Sequence, residues 1–207
     1  MDKFSKNELR TLKKLTTPQK IQDFLDAIPI NFEEDGETCM SPRRVLETKK
    51  AHCMEGAMFA AAALKMHGQA PLVLDLKVAP RADDLDHVVA PFRVRGYWGA
   101  ISKTNHPVLR YRDPIYKSIR ELVMSYFHEY FMDSGKKTLR SYSMPLDLSR
   151  FNEKHWMIDA KDIFYIPEYL NSTRHIHILT PAMQRMLRPA SKLEIEATKM
   201  TEWKPRV

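Results

Sequence analysis

Two residues with complementary chemistry, a cysteine and a histidine, stand in the first half of the chain. Cys53 comes immediately before a run of Met, Ala, Leu and Phe, and His87 begins a second apolar run after a short acidic loop. A cysteine becomes a nucleophile when a neighbouring base takes its proton, and imidazole is well suited to this at neutral pH. The pair therefore predicts thiol chemistry, in which the Cys53 sulfur attacks a carbonyl carbon and His87 accepts the proton.

The residues around Cys53 predict a helix that begins close to the sulfur. The apolar run from Ala57 to Leu64 suits a buried helix, and Gly68 falls where a helix C-terminal glycine is common. The first N–H groups of a helix lack intrahelical partners and lie at the positive end of its dipole, so they favour a thiolate over a thiol. The same N–H groups are suited to hold a developing oxyanion.

The contexts of Cys53 and His87 together resemble the transglutaminase-like superfamily, whose members are related to the papain-like thiol hydrolases. The likeness extends from about Ser41 to Asp113 and covers roughly a third of the chain. The residues that carry it are Ser41-Pro42, Val45-Leu46, Lys50-Ala51-His52-Cys53, the small-residue helix to Gly68, His87-Val88-Val89 and Tyr97-Trp98.

This resemblance implies an α+β fold with a papain-like core, in which the nucleophile helix packs on an antiparallel sheet. It also implies acyl transfer with Cys53 and His87 as catalytic residues, and the superfamily includes peptidases, amidases and cross-linking transferases. We expect His52 and Trp98 to border the substrate, although Trp98 also suits the core or the wall of a cleft. No cofactor and no metal are implied.

The third catalytic position is where the sequence departs from the family pattern. That pattern reads Trp-x-x-x-Asp, and the same count from Trp98 reaches Ser102. A hairpin with Arg95-Gly96 as its two-residue turn also places Ser102 diagonal to His87. A hydroxyl can orient an imidazole, but it does not stabilise an imidazolium as a carboxylate does.

We therefore assign the third position to Asp113, the nearest acid downstream of the His87 hairpin, and keep Ser102 and Asn105 as alternatives. Each member of the proposed triad also has a structural interpretation. Cys53 suits a small buried core residue, His87 suits a strand histidine bonded to a carbonyl, and Asp113 before Pro114 suits a helix N-cap.

The net charge of +7 and the pI of about 9.3 raise the question of a nucleic-acid partner. The basic residues are spread over separate segments, and no helix-turn-helix, zinc finger or RNP-like pattern accompanies them, so a nucleic-acid role is the weaker alternative. No apolar stretch is long enough to cross a bilayer and the N-terminus lacks a signal-peptide core, so we expect a cytoplasmic protein without membrane partners. The expected partner is a peptide, protein or other amide substrate.

The two cysteines, Cys39 and Cys53, do not make a disulfide framework, and we expect two thiols. Cys39 lies in a polar loop and is taken as incidental. His175 and His177 are spaced to share one face of a strand, but a solvent-facing pair is the favoured interpretation, so no metal site is expected.

The remaining patterns predict helices, strands and one boundary. Thr17-Pro18 begins an apolar-faced helix, Leu72 to Val78 predicts a central strand, and Ile115 to Met132 predicts a long amphipathic helix. The boundary separates residues 1–135, with the core, from residues 136–207, an elaboration packed on the same domain. In that second part we expect strands at Trp156-Ile158, Ile163-Ile166 and His175-Leu179, and helices from Pro181 and over Lys192 to Met200.

The function predicted from these patterns is thiol-dependent acyl transfer or hydrolysis of an amide or ester bond. Cys53 is the expected nucleophile and His87 the expected base. The alternative is a catalytically inactive transglutaminase-like binding module that keeps the fold without the chemistry, and the Ser102 departure is the feature that favours it.

Overall fold

The computed structural model describes residues 4–80 and 82–205 of the chain, in which four helices precede the first four strands of an antiparallel sheet and the later helices and strands are interspersed. The helices are α1 (Lys6–Lys14), α2 (Pro18–Asp26), α3 (Pro42–Thr48), α4 (Cys53–Met66), α5 (Ile119–Met124), α6 (Tyr165–Ser172), α7 (Pro181–Arg185) and α8 (Lys192–Thr198), with 3-10 helices at Phe127–Glu129 and Leu148–Lys154. The expected α+β class is confirmed. None of the described helices is both long and apolar enough to span a membrane.

Within the described residues the sheet has seven strands, and all of their pairings are antiparallel. They are β1 (Leu72–Val78), β2 (His87–Val94), β3 (Tyr97–Ile101), β4 (Arg112–Tyr116), β5 (Leu139–Ser143), β6 (Leu146–Asp147) and β7 (His175–His177). Their order is β4-β3-β2-β1-β5-β7, with β6 also paired to β1. The strands after residue 135 therefore extend the same sheet as the strands before it.

Helix α4 packs on one face of this sheet because its side chains are small. Ala57 and the alanines from Ala60 to Ala63 are fully buried, and the helix lies against β2. Gly56 allows a close approach of the chain, since a Cβ atom there would lie 2.5 Å from Lys103 Cβ. This absence of a side chain lets the segment after β3 run directly beside the first turn of α4.

The sheet divides the buried side chains into two clusters, as the alternation of a strand requires. Val73 of β1 packs with α4 and the N-terminal helices, whereas its neighbours Leu74 and Leu76 pack with α5 on the opposite face. The strand predicted over Leu72 to Val78 is therefore a central strand with apolar side chains buried on both faces.

The hairpin that carries His87 forms as predicted. Val94 pairs with Tyr97 across Arg95 and Gly96, and both turn residues have positive φ angles, of 49° and 91°. Two positive φ angles match the right-handed twist of the flanking strands, which is why Gly favours such a turn. This register fixes which residue of β3 or its extension lies opposite the start of β2.

The predicted helix over Ile115 to Met132 is wrong in its first part and too long. Residues Arg112–Tyr116 form β4 and pair with β3, which leaves Ile115 largely exposed. The helix begins only after Ser118, whose side chain accepts a hydrogen bond from the Glu121 N–H. Asp113 is consequently a strand residue and not a helix N-cap.

The C-terminal third also differs from the prediction in places. Residues around Trp156 form a turn after a 3-10 helix, and the segment at Ile163 leads into helix α6 where a strand was expected. Both segments bury apolar side chains, and a short apolar run is equally compatible with a strand and with a helix. The sequence therefore did not distinguish the two structures. The strand at His175 and the helices α7 and α8 are confirmed, whereas β5 was missed.

Candidate active site

Cys53 is the first residue of α4, as predicted, and the residue before it caps the helix. His52 has extended backbone angles, and its Nδ1 accepts a hydrogen bond from the Met54 N–H at 3.2 Å. In return, the Glu55 carboxylate accepts the His52 N–H at 3.0 Å, which completes a capping box. This cap holds the half-buried Cys53 side chain at the positive end of the helix.

The carboxylate of Glu55 is fully buried and is the centre of a hydrogen-bond network. It accepts hydrogen bonds from the Met40 N–H at 2.9 Å, the Thr38 hydroxyl at 2.8 Å and the Asn31 side chain at 3.1 Å. The loop before α3 is therefore folded around the base of the nucleophile helix. Glu55 was not singled out from the sequence, although the His-x-x-Glu spacing of a capping box was a usable signal.

His87 begins β2, and one side of its ring is held by Ser102. The distance between His87 Nε2 and Ser102 Oγ is 2.7 Å, and the Ser102 hydroxyl donates to the Leu109 carbonyl. Because that hydroxyl proton is used, Ser102 Oγ acts as the acceptor and Nε2 carries a hydrogen. The other ring nitrogen, Nδ1, is then the one available to Cys53.

The backbone of Ser102 is fixed by a side chain from α2. Gln22 accepts the Ser102 N–H at 2.9 Å and donates to the Ser102 carbonyl at 2.8 Å. Both groups are buried, so this double hydrogen bond is shielded from competing water. The hydroxyl therefore has a defined position relative to the imidazole.

The expectation that Asp113 would orient His87 is corrected by this geometry. Asp113 is an exposed residue of β4, whereas Ser102, the alternative reached by the hairpin register, contacts the imidazole. Asn105, the other alternative, binds the backbone N–H and carbonyl of Trp203 near the end of the chain. The imidazole of His87 thus has a neutral partner.

Two imidazoles, not one, act on the sulfur of Cys53. Burial raises the pKa of Cys53, but side-chain hydrogen bonds with His52 and His87 and the charge of both rings lower it further, to about 5. Burial lowers the pKa of His52, but its hydrogen bond with Cys53 and the charge of Glu55 raise it, to about 9. These directions favour a thiolate and an imidazolium over a neutral pair across the neutral pH range.

Cys53, His52 and His87 lie in one cleft of about 800 Å³. Its walls are the acidic loop 83–86, the loop 103–109, residues 129–134 and the pair Thr198-Lys199. Leu85 is 83% exposed at the edge of the cleft. The sulfur is therefore in a space large enough for a peptide side chain or a small acyl group.

The expected substrate contact of Trp98 is not found in this cleft. Trp98 lies on β3, outside the residues that line the cleft, and stacks with Arg93 at 5.5 Å from guanidinium carbon to ring centre. It packs at the margin of the core cluster that includes α5. His52, in contrast, lines the cleft beside Cys53.

Both cysteines are free thiols, as expected. Within residues 4–80 and 82–205, no three His, Cys, Asp or Glu side chains are grouped so that they could hold a metal ion. Of the two closely spaced histidines, His175 pairs with the buried Asp75 at 2.9 Å, and His177 is exposed.

Comparisons with known proteins do not assign the chain to a family. It matches no protein-family model. No curated protein matches it either. The function therefore has to be inferred from the geometry around Cys53.

Proposed function

We propose that this protein catalyses thiol-dependent acyl transfer or hydrolysis of an amide or ester bond. Cys53 is the nucleophile, and His87 is the base that exchanges protons with the reacting groups. The observation that carries the proposal is a cysteine at a helix N-terminus that lines one cleft together with two imidazoles, both of which lower its pKa. A thiolate in such surroundings is reactive at neutral pH, unlike an ordinary buried cysteine.

The first half of the reaction would form an acyl-enzyme. The Cys53 sulfur attacks the carbonyl carbon, and the oxygen takes on negative charge close to the first N–H groups of α4. The carbon–nitrogen or carbon–oxygen bond then breaks, and the leaving amine or alcohol takes a proton from His87 Nδ1. The product of this half is a thioester on Cys53.

The second half would release the acyl group. Water or an amine attacks the thioester while His87 Nδ1 accepts its proton, and the Cys53 thiolate leaves. Attack by water gives hydrolysis, and attack by an amine gives transfer. The hydrogen bond from His87 Nε2 to Ser102 keeps the ring oriented in both halves.

The proposal also includes a transglutaminase-like core of the papain-like type. It is supported by the order of the elements, because a helix beginning at the cysteine is followed by a strand, a strand beginning at the histidine and a strand leading to the residue that orients the imidazole. This chain differs from the family pattern in that the residue next to the imidazole is Ser102 and not an acid.

A direct test uses an activated ester, p-nitrophenyl acetate, as the acyl donor. We expect a rapid release of p-nitrophenol at pH 7 and an acetylated Cys53 peptide in the mass spectrum. The matched controls are Cys53→Ser, which should abolish the burst, and Cys39→Ser, which should retain it. Equal acetylation of both cysteines, or none at Cys53, would rule out nucleophilic catalysis.

A second candidate is a binding module that keeps the fold and the cleft without turnover. The neutral partner of His87 favours it, since a hydroxyl stabilises an imidazolium less than a carboxylate does. In that case Cys53 would be acetylated once, and the thioester would persist. Repeated turnover at a rate above that of Cys53→Ser favours the enzyme.

A further inference from the structure

The two imidazoles beside Cys53 differ in what lies behind them. Behind His87 is the Ser102 hydroxyl, which carries no charge and has already donated its proton to a carbonyl. Behind His52 are three acceptors, and two of these are carboxylates. His52 Nε2 lies 3.1 Å from the Thr38 carbonyl, 3.4 Å from Glu55 Oε1 and 3.8 Å from Glu33 Oε1.

This difference decides which ring is better able to hold a positive charge. An imidazolium has a hydrogen on both nitrogens, so it needs acceptors on both sides, and a nearby carboxylate stabilises it most. Cys53, the next residue in the chain, raises the pKa of His52, and Glu55 lies on the Nε2 side of the His52 ring. His87 has only a neutral oxygen at Nε2.

The charged groups around His52 and Cys53 come from several elements of the structure. Glu55 belongs to α4 itself, Glu33 comes from the loop before α3, and His87 comes from β2. Tyr130 approaches from the segment after α5, but its hydroxyl donates to the Leu85 carbonyl at 2.6 Å, and burial raises its pKa, so it stays neutral. The negative charge around His52 is therefore carboxylate charge.

We propose that His52, backed by Glu55, is the lasting imidazolium partner of the Cys53 thiolate, so that ionisation of Cys53 does not depend on His87. The proton leaves Cys53 Sγ and binds His52 Nδ1. His87 Nδ1 then carries a separate proton, taken from solvent, which it gives to the leaving group in the first half of the reaction and regains from the attacking water or amine in the second half. This inference deepens the proposed function and depends on it only for that last role.

The transfer has a structural consequence at the helix cap. In neutral His52, Nδ1 accepts the Met54 N–H at 3.2 Å. A protonated Nδ1 can no longer accept, and it donates to the sulfur instead. The Met54 N–H in the first turn of α4 is then released, and it becomes a further donor for the thiolate or for an oxyanion.

The pH dependence of Cys53 alkylation by iodoacetamide, measured in the Cys39→Ser background, tests this assignment. We compare His52→Asn with His87→Asn, because Asn is a favoured N-cap and keeps the start of α4 while removing the imidazole. In His52→Asn the alkylation midpoint should rise by about two pH units, from about 5 to about 7, so the rate at pH 6 falls about tenfold. In His87→Asn the midpoint should move less.

The opposite order of the two midpoint shifts, or equal shifts, would overturn the proposal. Circular dichroism melting of each variant separates these outcomes from loss of fold. A second measurement is the ultraviolet absorbance of the thiolate as a function of pH, which reports ionisation of Cys53 without any reagent. The midpoint of this titration should shift in each variant as the alkylation midpoint does.

Failure of this inference is distinguishable from failure of the proposed function. If His52→Asn shifts the midpoint but p-nitrophenyl acetate never acetylates the wild-type Cys53, the ion pair stands and the acyl-transfer function falls. If acetylation occurs but His87→Asn gives the larger shift, the function stands and His87 is the charged partner.

Discussion

The two cysteines of this chain are both influenced by one buried carboxylate, that of Glu55, and have opposite acidities. Burial raises the pKa of Cys39, and the charges of Glu55 and Asp162 raise it further. Burial also raises the pKa of Cys53, but the two imidazoles lower it to about 5. Cys39 is buried and Cys53 is half-buried, but burial raises the pKa of both thiols, so burial does not explain why their acidities differ in direction.

The difference shows that the same carboxylate acts in two ways according to what stands between it and the sulfur. Glu55 faces Cys39 as a like charge, which disfavours a second anion. Towards Cys53 it acts through His52, whose positive charge it stabilises. One buried anion thus keeps one thiol protonated and favours ionisation of the other.

The largest effect expected from this comparison is in thiol labelling. At pH 7 the Cys53 sulfur should be almost entirely thiolate and the Cys39 sulfur almost entirely thiol, so iodoacetamide should label Cys53 at least about a hundredfold faster. The measurement is the rate of carbamidomethylation of each cysteine peptide in the wild-type protein. Cys39→Ser should leave the fast phase intact, and equal rates at the two sites would refute the contrast.

A smaller but more specific effect is expected for Glu55→Gln, which removes the shared charge and keeps the size of the side chain. The alkylation midpoint of Cys53 should rise, with a rate at pH 6 about tenfold lower, because the His52 imidazolium loses its counter-charge. The labelling rate of Cys39 should increase, because one like charge is gone. The two cysteines would thus become more alike.

Asp162→Asn is the matched control for this change. Asp162 accepts the Cys39 N–H at 2.8 Å and pairs with Arg44, and its charge raises the pKa of Cys39. This variant should make Cys39 easier to label while leaving the Cys53 midpoint in place. A shift of the Cys53 alkylation midpoint in Asp162→Asn would mean that Glu55 does not act through His52.

The sequence predicted the parts of the site that depend on local pattern. The helix at Cys53 follows from a run of small residues, and the hairpin at His87 follows from Arg95-Gly96, whose turn type fixes the register. That register already pointed to Ser102. Asp113 was predicted instead because a carboxylate stabilises an imidazolium better than a hydroxyl does. This chemical preference outweighed the hairpin register, which was correct.

The parts that the sequence did not predict depend on long-range contacts. Ile115 has a helical spacing to later apolar residues, but pairing with β3 makes its segment a strand. The contacts of Glu55 with Asn31 and Thr38 join residues far apart in the chain, and no local spacing reveals them. These contacts give His52 its counter-charge, so the second imidazole becomes evident only in the folded protein.

The ion pair at Cys53 should also be visible in how stability depends on pH. The pKa of Cys53 falls from 9.0 to about 5 on folding, so its contribution is complete above pH 9 and is lost as the pH falls to 5. The pKa of His52 rises from 6.5 to about 9, so its contribution is complete below pH 6.5 and is lost as the pH rises to 9. The summed contribution of the two groups to the free energy of unfolding therefore increases from pH 5 to 6.5 and is level from pH 6.5 to 9.

The smallest expected effect is therefore a difference of about 1 kcal/mol in the free energy of unfolding between pH 5 and 6.5, present in the wild type and absent in Cys53→Ser. Without the sulfur, the Cys53 contribution is gone, whereas His52 keeps the charge of Glu55, and its own contribution stays complete below pH 6.5 and adds no slope between pH 5 and 6.5. Urea unfolding at pH 5, 6.5 and 8 measures the difference, and Cys39→Ser should follow the wild type because its thiol stays protonated over this range. Parallel curves for wild type and Cys53→Ser would mean that Cys53 carries no charge in the folded protein, and the contrast between the two cysteines would then be one of exposure alone.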